Sequence, residues 1–300
     1  MKNKCDVWFL YSGYTYNKKM ESGYIDSLRK KAEEYNISMD VKDTHKFTIV
    51  SGEKNELYYD GKKVENFPKF AIVRRYEIYL GRVLEMNGVK VFNNVQAMID
   101  SRNKLKTHQM LSYAGVLSPK TVYIVPKKCL KNITYDEVCK RLESNTFILK
   151  WVYGSQGTHV HLVDNENTFD ELVKKYDGKI LCQEFIKSSF GMDIRAYVIG
   201  GKYIGAAIRK SNGSFKSNLA QGGEAVLFEE DDKIKDLAEK AAKAVNLDIC
   251  GVDILKGEND KYYICEVNCV PGFKSISRTK KINEKDIFLT LIRDKMNNEE

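Results

Sequence analysis

Proline is scarce in this chain: four of the 300 residues are proline, and no internal repeat or low-complexity tract accompanies them. This composition argues against long disordered linkers. Paired cysteines are also lacking, because the seven cysteines are odd in number and form no Cys-x-x-Cys pair. That pattern argues against a disulfide framework and is typical of a reducing compartment, so we expect a cytoplasmic protein.

Long apolar runs and blocks of like charge are missing as well. The apolar run Val7 to Leu10 is too short for a signal peptide, and no segment approaches the ~20 apolar residues of a membrane span, so we expect no membrane partner. The formal net charge is +8, from 49 basic and 41 acidic residues, but no five or six like charges follow one another. The sequence therefore argues against a nucleic-acid partner and favours scattered cations near phosphate or substrate sites.

The hydrophobic residues make up 43% of the chain, which is enough to bury a large core in two or three subdomains. The most informative stretch lies near the C-terminus. Asp253 closes an apolar strand-like run, and Glu266 and Asn268 lie two residues apart on the next one, so both point to one face. Two carboxylates and a carboxamide are hard oxygen ligands that suit Mg²⁺ held together with phosphates. A solvated hairpin with incidental acids is the alternative.

Features typical of phosphate binding precede this hairpin in the chain. Lys104 lies at the start of a predicted helix, and Lys150 interrupts the apolar strand at 147–152. That strand runs into the loop at 153–158, whose small residues let backbone N–H groups approach phosphate oxygens. Another apolar strand, at 180–186, ends in a polar pair.

This ordered set resembles the ATP-grasp superfamily, and within it the RimK-type ligases that join glutamate or similar amines to a carboxylate. The resemblance covers roughly residues 97–292 and is strongest from Gln183 to Gly272, whereas residues 1–96 carry no comparable match. It implies an α/β fold with α+β lobes, in which an open α/β pre-grasp domain precedes the ATP-grasp lobes. We place the N-terminal domain at 1–98, the central lobe with a phosphate lid at 99–182, and the C-terminal lobe at 183–300.

The resemblance also implies roles for individual residues. Arg195 and Arg209 would be catalytic, with Arg209 stabilising an acyl phosphate and the tetrahedral oxyanion. Asp253, Glu266 and Asn268 would hold one or two Mg²⁺, for which Mn²⁺ could substitute. The residues expected to bind ATP are Lys104, Lys150, Gly154, Ser155, Gln156, Gly157, Gln183, Glu184, Ile186, Asp193, Lys216 and Asn218.

The chain departs from the family pattern near these residues. His159 occupies a position usually filled by glycine, Val270 replaces a serine, and Lys216 stands where arginine is common. None of these changes removes a metal ligand or a phosphate lysine, so we expect an active enzyme with an altered substrate pocket. His159 and His161 lack a third ligand nearby, which argues against a metal pair.

The implied activity is an ADP-forming, carbon–nitrogen bond-forming ligase, and its carboxylate and amine substrates remain open as small molecules, peptide tails or amino acids. We expect an acidic substrate, because Arg195, Arg209, Lys210 and Lys216 would be surplus cations beside the phosphate lysines. A nucleotide-binding module without turnover and a kinase on the same fold are the alternatives. A homo-oligomer is left open. Asp193 and Arg195, two apart on one strand, could instead form a plain ion pair.

Local signals predict several elements. Asp60-Gly61 and Gly200-Gly201 indicate hairpin turns, and the spacing of apolar residues predicts helices at 22–35 and 233–245. We further expect a domain boundary near 95–99, one helix from about 100 to 114, and a helix opened by a capping box at 168–171.

Overall fold

The computed structural model describes residues 5–12, 18–124, 133–154, 159–176, 178–211, 224–229 and 231–298. The N-terminal domain alternates strands and helices, as its apolar pattern predicts. Its parallel sheet has the strand order β2-β1-β6-β7, and a small antiparallel sheet has the order β3-β4-β5. The elements are β1 Val7–Tyr11, α1 Lys18–Glu34, β2 Met39–Asp43, β3 Phe47–Ser51, β4 Asn55–Tyr59, β5 Lys62–Lys63, β6 Phe70–Val73, α2 Ile78–Met86 and β7 Lys90–Phe92.

The turn predicted at Asp60-Gly61 joins β4 to β5. Both residues have positive φ, +52° and +76°, which is the conformation of a type I′ turn. The hairpin prediction is confirmed. It depends only on the two turn residues, whose preference for positive φ does not depend on distant contacts.

The central lobe contains an antiparallel sheet of order β10-β9-β11-β8. Two helices, α5 and α6, pack their apolar faces on one side of it, where Val138 and Phe169 join the strand residues Phe147 and Leu149 in a core. The opposite side of the sheet carries Lys150. The elements are α3 Val95–Arg102, α4 Lys104–Tyr113, β8 Thr121–Ile124, α5 Tyr135–Leu142, β9 Phe147–Trp151, β10 Val160–Val163, α6 Glu166–Lys175 and β11 Ile180–Glu184.

Two helix predictions in this region are wrong. The expected helix at 100–114 is interrupted at Asn103, which is extended and caps α4 through its side chain. The stretch at 95–99, where we place the boundary between the N-terminal domain and the central lobe, forms the first part of α3, which Asn94 caps. The second error concerns α6, whose N-cap is Asn165 and not Thr168. The Asn165 side chain accepts from the Thr168 backbone N–H at 2.9 Å, so the helix begins earlier than the capping-box pattern indicates.

The C-terminal lobe is an antiparallel sheet of order β14-β13-β12-β15-β16. The amphipathic helix α7 packs on it through alanines and Ile234, as predicted. Gly200 and Gly201 have φ of +58° and +81° and join β12 to β13, which confirms the second predicted hairpin. The elements are β12 Met192–Ile199, β13 Lys202–Lys210, β14 Glu224–Leu227, α7 Asp232–Val245, β15 Ile249–Lys256, β16 Tyr262–Asn268, α8 Lys274–Lys280 and α9 Glu284–Asn297.

The N-terminal domain and the C-terminal lobe share one hydrophobic core. Phe9 of β1 lies 5.9 Å from Phe288 of α9 between ring centroids, and Phe273 joins the same cluster. The buried side chain of Asn93 links the N-terminal domain to the C-terminal lobe, because its amide donates to the carbonyls of Ile249 and Cys269 at 2.7 and 2.8 Å. Among the described residues, no helix is long and apolar enough to cross a membrane.

Candidate functional site

The predicted metal ligands lie together on the β15–β16 hairpin. Asp253 is the direct cross-strand neighbour of Glu266, and Asn268 stands opposite Gly251 two residues further along β16. Cross-strand neighbours and residues two apart share one face of a sheet. The three side chains therefore lie on one face, as the spacing predicts. The Asn268 carboxamide oxygen also accepts from the Val270 N–H at 3.0 Å.

Two arginines reach the same face from neighbouring strands. Arg195 on β12 binds Asp253 with both prongs of its guanidinium, each at 2.6 Å. Arg209 on β13 binds Asp193 in the same two-pronged manner and also lies 3.0 Å from Asp253 Oδ2. Burial pushes the pKa of Asp253 upward, but the two guanidiniums outweigh burial and hold this pKa below its ordinary value. Asp253 is therefore ionised in the folded chain.

This network corrects two interpretations of the sequence. Each arginine is bound to an aspartate on an adjacent strand, so Asp193 pairs with Arg209 and not with Arg195. Two carboxylates balance two guanidiniums in the network, so Arg195 and Arg209 are not surplus cations. Lys210 is exposed at the end of β13.

The donor set fits Mg²⁺ by its chemistry. An ionised carboxylate offers about four lone-pair positions. Asp253 Oδ2 accepts from both arginines whereas Oδ1 accepts from Arg195 alone, so Oδ1 retains a lone pair for a cation. In the described parts of the chain, no three His, Cys, Asp or Glu residues cluster as a metal site. Two carboxylates and a carboxamide match a cation that takes its other ligands from phosphates and water.

The two phosphate lysines lie near this face. Lys150 on β9 has only 5% of its surface exposed, and its ammonium lies 3.9 Å from Cys265 Sγ, one residue before Glu266. Lys104 donates to the Gly154 carbonyl at 2.9 Å. Burial lowers the pKa of Lys104, nearby Glu266 opposes this shift, and Lys150 adds to it. The structure thus brings both lysines and Glu266 into one cleft, where one buried and one half-buried ammonium group favour a bound anion.

Described residues on either side of the predicted phosphate loop make contacts with the protein. Gly154 accepts from Lys104, and His159 belongs to an aromatic stack. His159 stacks on Trp151 with an interplanar angle of 12°, and Tyr176 stacks on Trp151 at 15°. The histidine that departs from the family pattern therefore packs on the strand before the loop. Five predicted nucleotide residues lie outside the described residues: Ser155, Gln156, Gly157, Lys216 and Asn218.

The polar pair at the end of β11 is engaged within the central lobe. The Gln183 amide donates to His108 Nε2 at 2.9 Å and to Thr121 Oγ1 at 2.8 Å. The Glu184 carboxylate accepts from the Lys120 backbone N–H at 3.1 Å. Ile186, after the strand, is buried. The side chains of Gln183 and Glu184 thus bind groups of the protein, and the Glu184 backbone N–H donates to the Lys120 carbonyl at 2.8 Å.

His108 is a residue of the cleft that the sequence analysis missed. The Thr121 hydroxyl donates its proton to the Pro119 carbonyl, so it accepts from the Gln183 amide. The amide therefore points its second N–H at His108 Nε2, which leaves the imidazole proton on Nδ1. This Nδ1 is buried and has no hydrogen-bond partner among the described residues. The only sequence signal is its position four residues after Lys104, on the same helical face.

The pKa of His108 is strongly lowered, to about 3, first by burial and then by the positive charges of Lys150 and Lys104. The imidazole is therefore neutral at pH 7. Lysines on two different elements act on it, which agrees with their common location in the cleft.

Comparisons with known proteins agree with this geometry. Residues 101–292 match the model of the RimK-like ATP-grasp domain. The chain is 33% identical over 272 residues to a probable alpha-L-glutamate ligase of Marinomonas sp. (strain MWYL1), covering 87% of each chain. It is also 33% identical over 236 residues to a probable alpha-L-glutamate ligase of Methanococcoides burtonii, covering 76% of each.

Solved structures show the same fold. The ATP-grasp ligase PsnB, complexed with a minimal precursor, superposes with a TM-score of 0.71 at 19% identity over 96% of this chain and 98% of that one. The D-alanine-D-alanine ligase of Coxiella burnetii gives a TM-score of 0.65 at 16% identity, covering 99% and 97%. The predicted fold class, an α/β ATP-grasp fold, is confirmed.

Proposed function

Because this chain belongs to the RimK-like ATP-grasp family of ADP-forming carbon–nitrogen ligases, we propose that it joins the amine of a glutamate-like substrate to a carboxylate activated by ATP. The observation that supports this most directly is the cleft in which Lys104, Lys150 and Glu266 meet. Among the described residues, Lys104 bonds to a carbonyl and Lys150 to a thiol rather than to a carboxylate, so their charges favour bound phosphates, and the carboxylate oxygens favour the accompanying Mg²⁺.

The proposed reaction proceeds through an acyl phosphate, because a carboxylate oxygen is a poor leaving group until it is phosphorylated. Lys104 and Lys150 bind and orient the phosphates, and Arg209 stabilises the charge on the acyl phosphate and the tetrahedral oxyanion. Asp193 holds the Arg209 guanidinium from both prongs and so fixes its direction. One or two Mg²⁺, or Mn²⁺ in their place, would be held by Asp253, Glu266 and Asn268 and would neutralise phosphate charge.

The substrate class rests on the relatives. Those of Marinomonas and Methanococcoides are named probable alpha-L-glutamate ligases, and a solved structure shows PsnB complexed with a precursor peptide. We therefore propose L-glutamate as the amine and a small molecule or the end of a peptide as the carboxylate.

The test of the ligase activity is ADP release that depends on both substrates. We expect L-glutamate, offered with pooled carboxylates and peptides, to stimulate ADP formation and to appear in an amide product. A kinase would instead transfer phosphate to a stable product without any added amine. ADP formation that no amine stimulates would contradict the proposal.

Replacing Glu266 with alanine should reduce ADP formation to background while the chain still folds. Loss of the carboxylate removes a cation ligand, and the half-buried side chain fills no core position. The matched control is Glu258→Ala, which changes an exposed glutamate in the turn of the same hairpin. Near-normal ADP formation by a folded Glu266→Ala variant would refute the metal assignment.

A further inference from the structure

The parallel sheet of the N-terminal domain has a topological switch point. The chain starts at β1, crosses to β2 on one side and then continues at β6 on the other. In open α/β sheets, ligands bind outside the carboxyl ends of the strands at such a point, because the two neighbouring loops leave in opposite directions.

Polar side chains from three strands meet at this edge. Ser12 follows β1, His45 follows β2 and Arg75 follows β6. The Ser12 hydroxyl lies 2.7 Å from His45 Nε2 and accepts from Arg75 Nη1, which is itself 3.5 Å from His45 Nε2. The topology thus brings together a hydroxyl, an imidazole and a guanidinium.

This edge combines buried polar groups with an accessible cation. Ser12 and Thr44 are buried, and the Thr44 hydroxyl finds no hydrogen-bond partner within the described ranges. The Arg75 side chain, in contrast, is 41% exposed, and the nearest carboxylate oxygen within the described residues, on Glu77, is 3.9 Å away. A guanidinium anchored by a buried hydroxyl and only distantly paired can bind an incoming anion.

This edge of the sheet borders the nucleotide cleft, as the contacts of the two residues next to Arg75 in the sequence show. Arg74 donates to the carbonyl of Pro271 at 3.2 Å, three residues after the metal ligand Asn268. Tyr76 carries the guanidinium of Arg102 over its ring at 4.9 Å, two residues before Lys104. The segment that carries Arg75 therefore lies beside the cleft.

We propose that Arg75, positioned by Ser12 and His45, forms a carboxylate subsite, which we call the edge subsite. It would bind a carboxylate of the glutamate-like substrate that takes no part in the reaction. This inference rests on the proposed function. Arg195 and Arg209 are neutralised by aspartates, so discrimination in favour of an acidic substrate needs another cation. The planar fork of Arg75 matches a carboxylate, and Ser12 and His45 hold the guanidinium in place.

The experiment is a calorimetric titration of the full chain with L-glutamate, at saturating Mg²⁺ and non-hydrolysable ATP analogue. We expect Arg75→Ala to weaken L-glutamate binding by about tenfold or more, which is the effect of losing a charge-assisted contact. Arg82→Ala is the matched control, because Arg82 belongs to the same domain and is 45% exposed. L-Glutamine has the same α-carboxylate as L-glutamate but a neutral side chain. It should bind the wild type more weakly than L-glutamate, and the comparison shows whether the side-chain carboxylate is the group that is recognised.

Several outcomes would overturn the edge subsite. They are an absence of L-glutamate binding to the wild type, an unchanged affinity in Arg75→Ala, and an equal loss in Arg82→Ala. If Arg75→Ala fails to bind the ATP analogue normally, Ser12→Ala decides, because it removes only the hydroxyl that positions the Arg75 guanidinium and should weaken L-glutamate binding severalfold. If both variants turn over glutamate as the wild type does, the edge subsite is refuted and the ligase proposal stands. L-Glutamate binding that depends on Arg75, without turnover for any amine, refutes the ligase proposal alone.

Discussion

Replacing His108 with glutamine should make the chain more resistant to mild acid than the wild type. In the folded chain the pKa of His108 is lowered to about 3, because burial and the neighbouring lysines disfavour the imidazolium ion. In the unfolded chain the same imidazole has a pKa of about 6.5. Between these two values the unfolded state binds a proton that the folded state does not. The free energy of unfolding therefore falls as the pH drops below about 6.5.

The magnitude follows from the two pKa values. A pH of 5.0 lies about 1.5 units below the pKa of the histidine in the unfolded chain, and each unit corresponds to about 1.4 kcal/mol. His108 alone should therefore remove about 2 kcal/mol of stability between pH 7.5 and pH 5.0. Glutamine keeps an acceptor for the Gln183 amide but cannot be protonated in this range. The variant should lack this part of the acid sensitivity.

The assay is urea unfolding of both chains at pH 7.5 and 5.0, followed by circular dichroism. Carboxylates titrate equally in both proteins, so the difference between the two pH-induced losses isolates His108. His161→Gln, which changes a half-buried histidine on β10, controls for the removal of any histidine. If wild type and His108→Gln lose the same unfolding free energy on acidification, the interpretation of a buried neutral imidazole is wrong.

Two further substitutions test the cleft. Lys150→Ala should weaken binding of a non-hydrolysable ATP analogue by about tenfold or more, or roughly 1.5–3 kcal/mol, and unchanged affinity in calorimetry would show that Lys150 does not bind phosphate. Arg209→Met should lower the free energy of unfolding by roughly 3–5 kcal/mol, because it removes the guanidinium that binds Asp193 with both prongs and lies 3.0 Å from Asp253; an unchanged urea midpoint would contradict the buried pairing.

Local chemistry explains which elements of the fold the sequence predicts. The turns at Asp60-Gly61 and Gly200-Gly201 and the helix α7 depend on neighbouring residues, and all were predicted correctly. The break between α3 and α4 at Asn103 was not predicted, because one hydrogen bond of its side chain is made to a residue far along the chain. Its amide donates to the hydroxyl of Tyr153 at 3.1 Å, fifty residues along the chain, and no local pattern signals that contact.

The same distinction applies to the site. The shared face of Asp253 and Glu266 follows from strand spacing and a hairpin, which the sequence displays. The pairing of Arg195 with Asp253 joins residues 58 positions apart, so it depends on which strands are neighbours. The edge subsite is a stronger case, because Ser12 and Arg75 meet only through the order of the parallel strands.

The core shared by the N-terminal domain and the C-terminal lobe bears on how the protein can be divided. The family match begins at residue 101, which makes residues 101–292 an obvious fragment to express. Such a fragment would keep every predicted nucleotide residue but expose Phe273 and Phe288, which are buried against the missing domain. A large exposed apolar face promotes aggregation. We therefore expect a fragment cut at the boundary of the family match to aggregate rather than to fold.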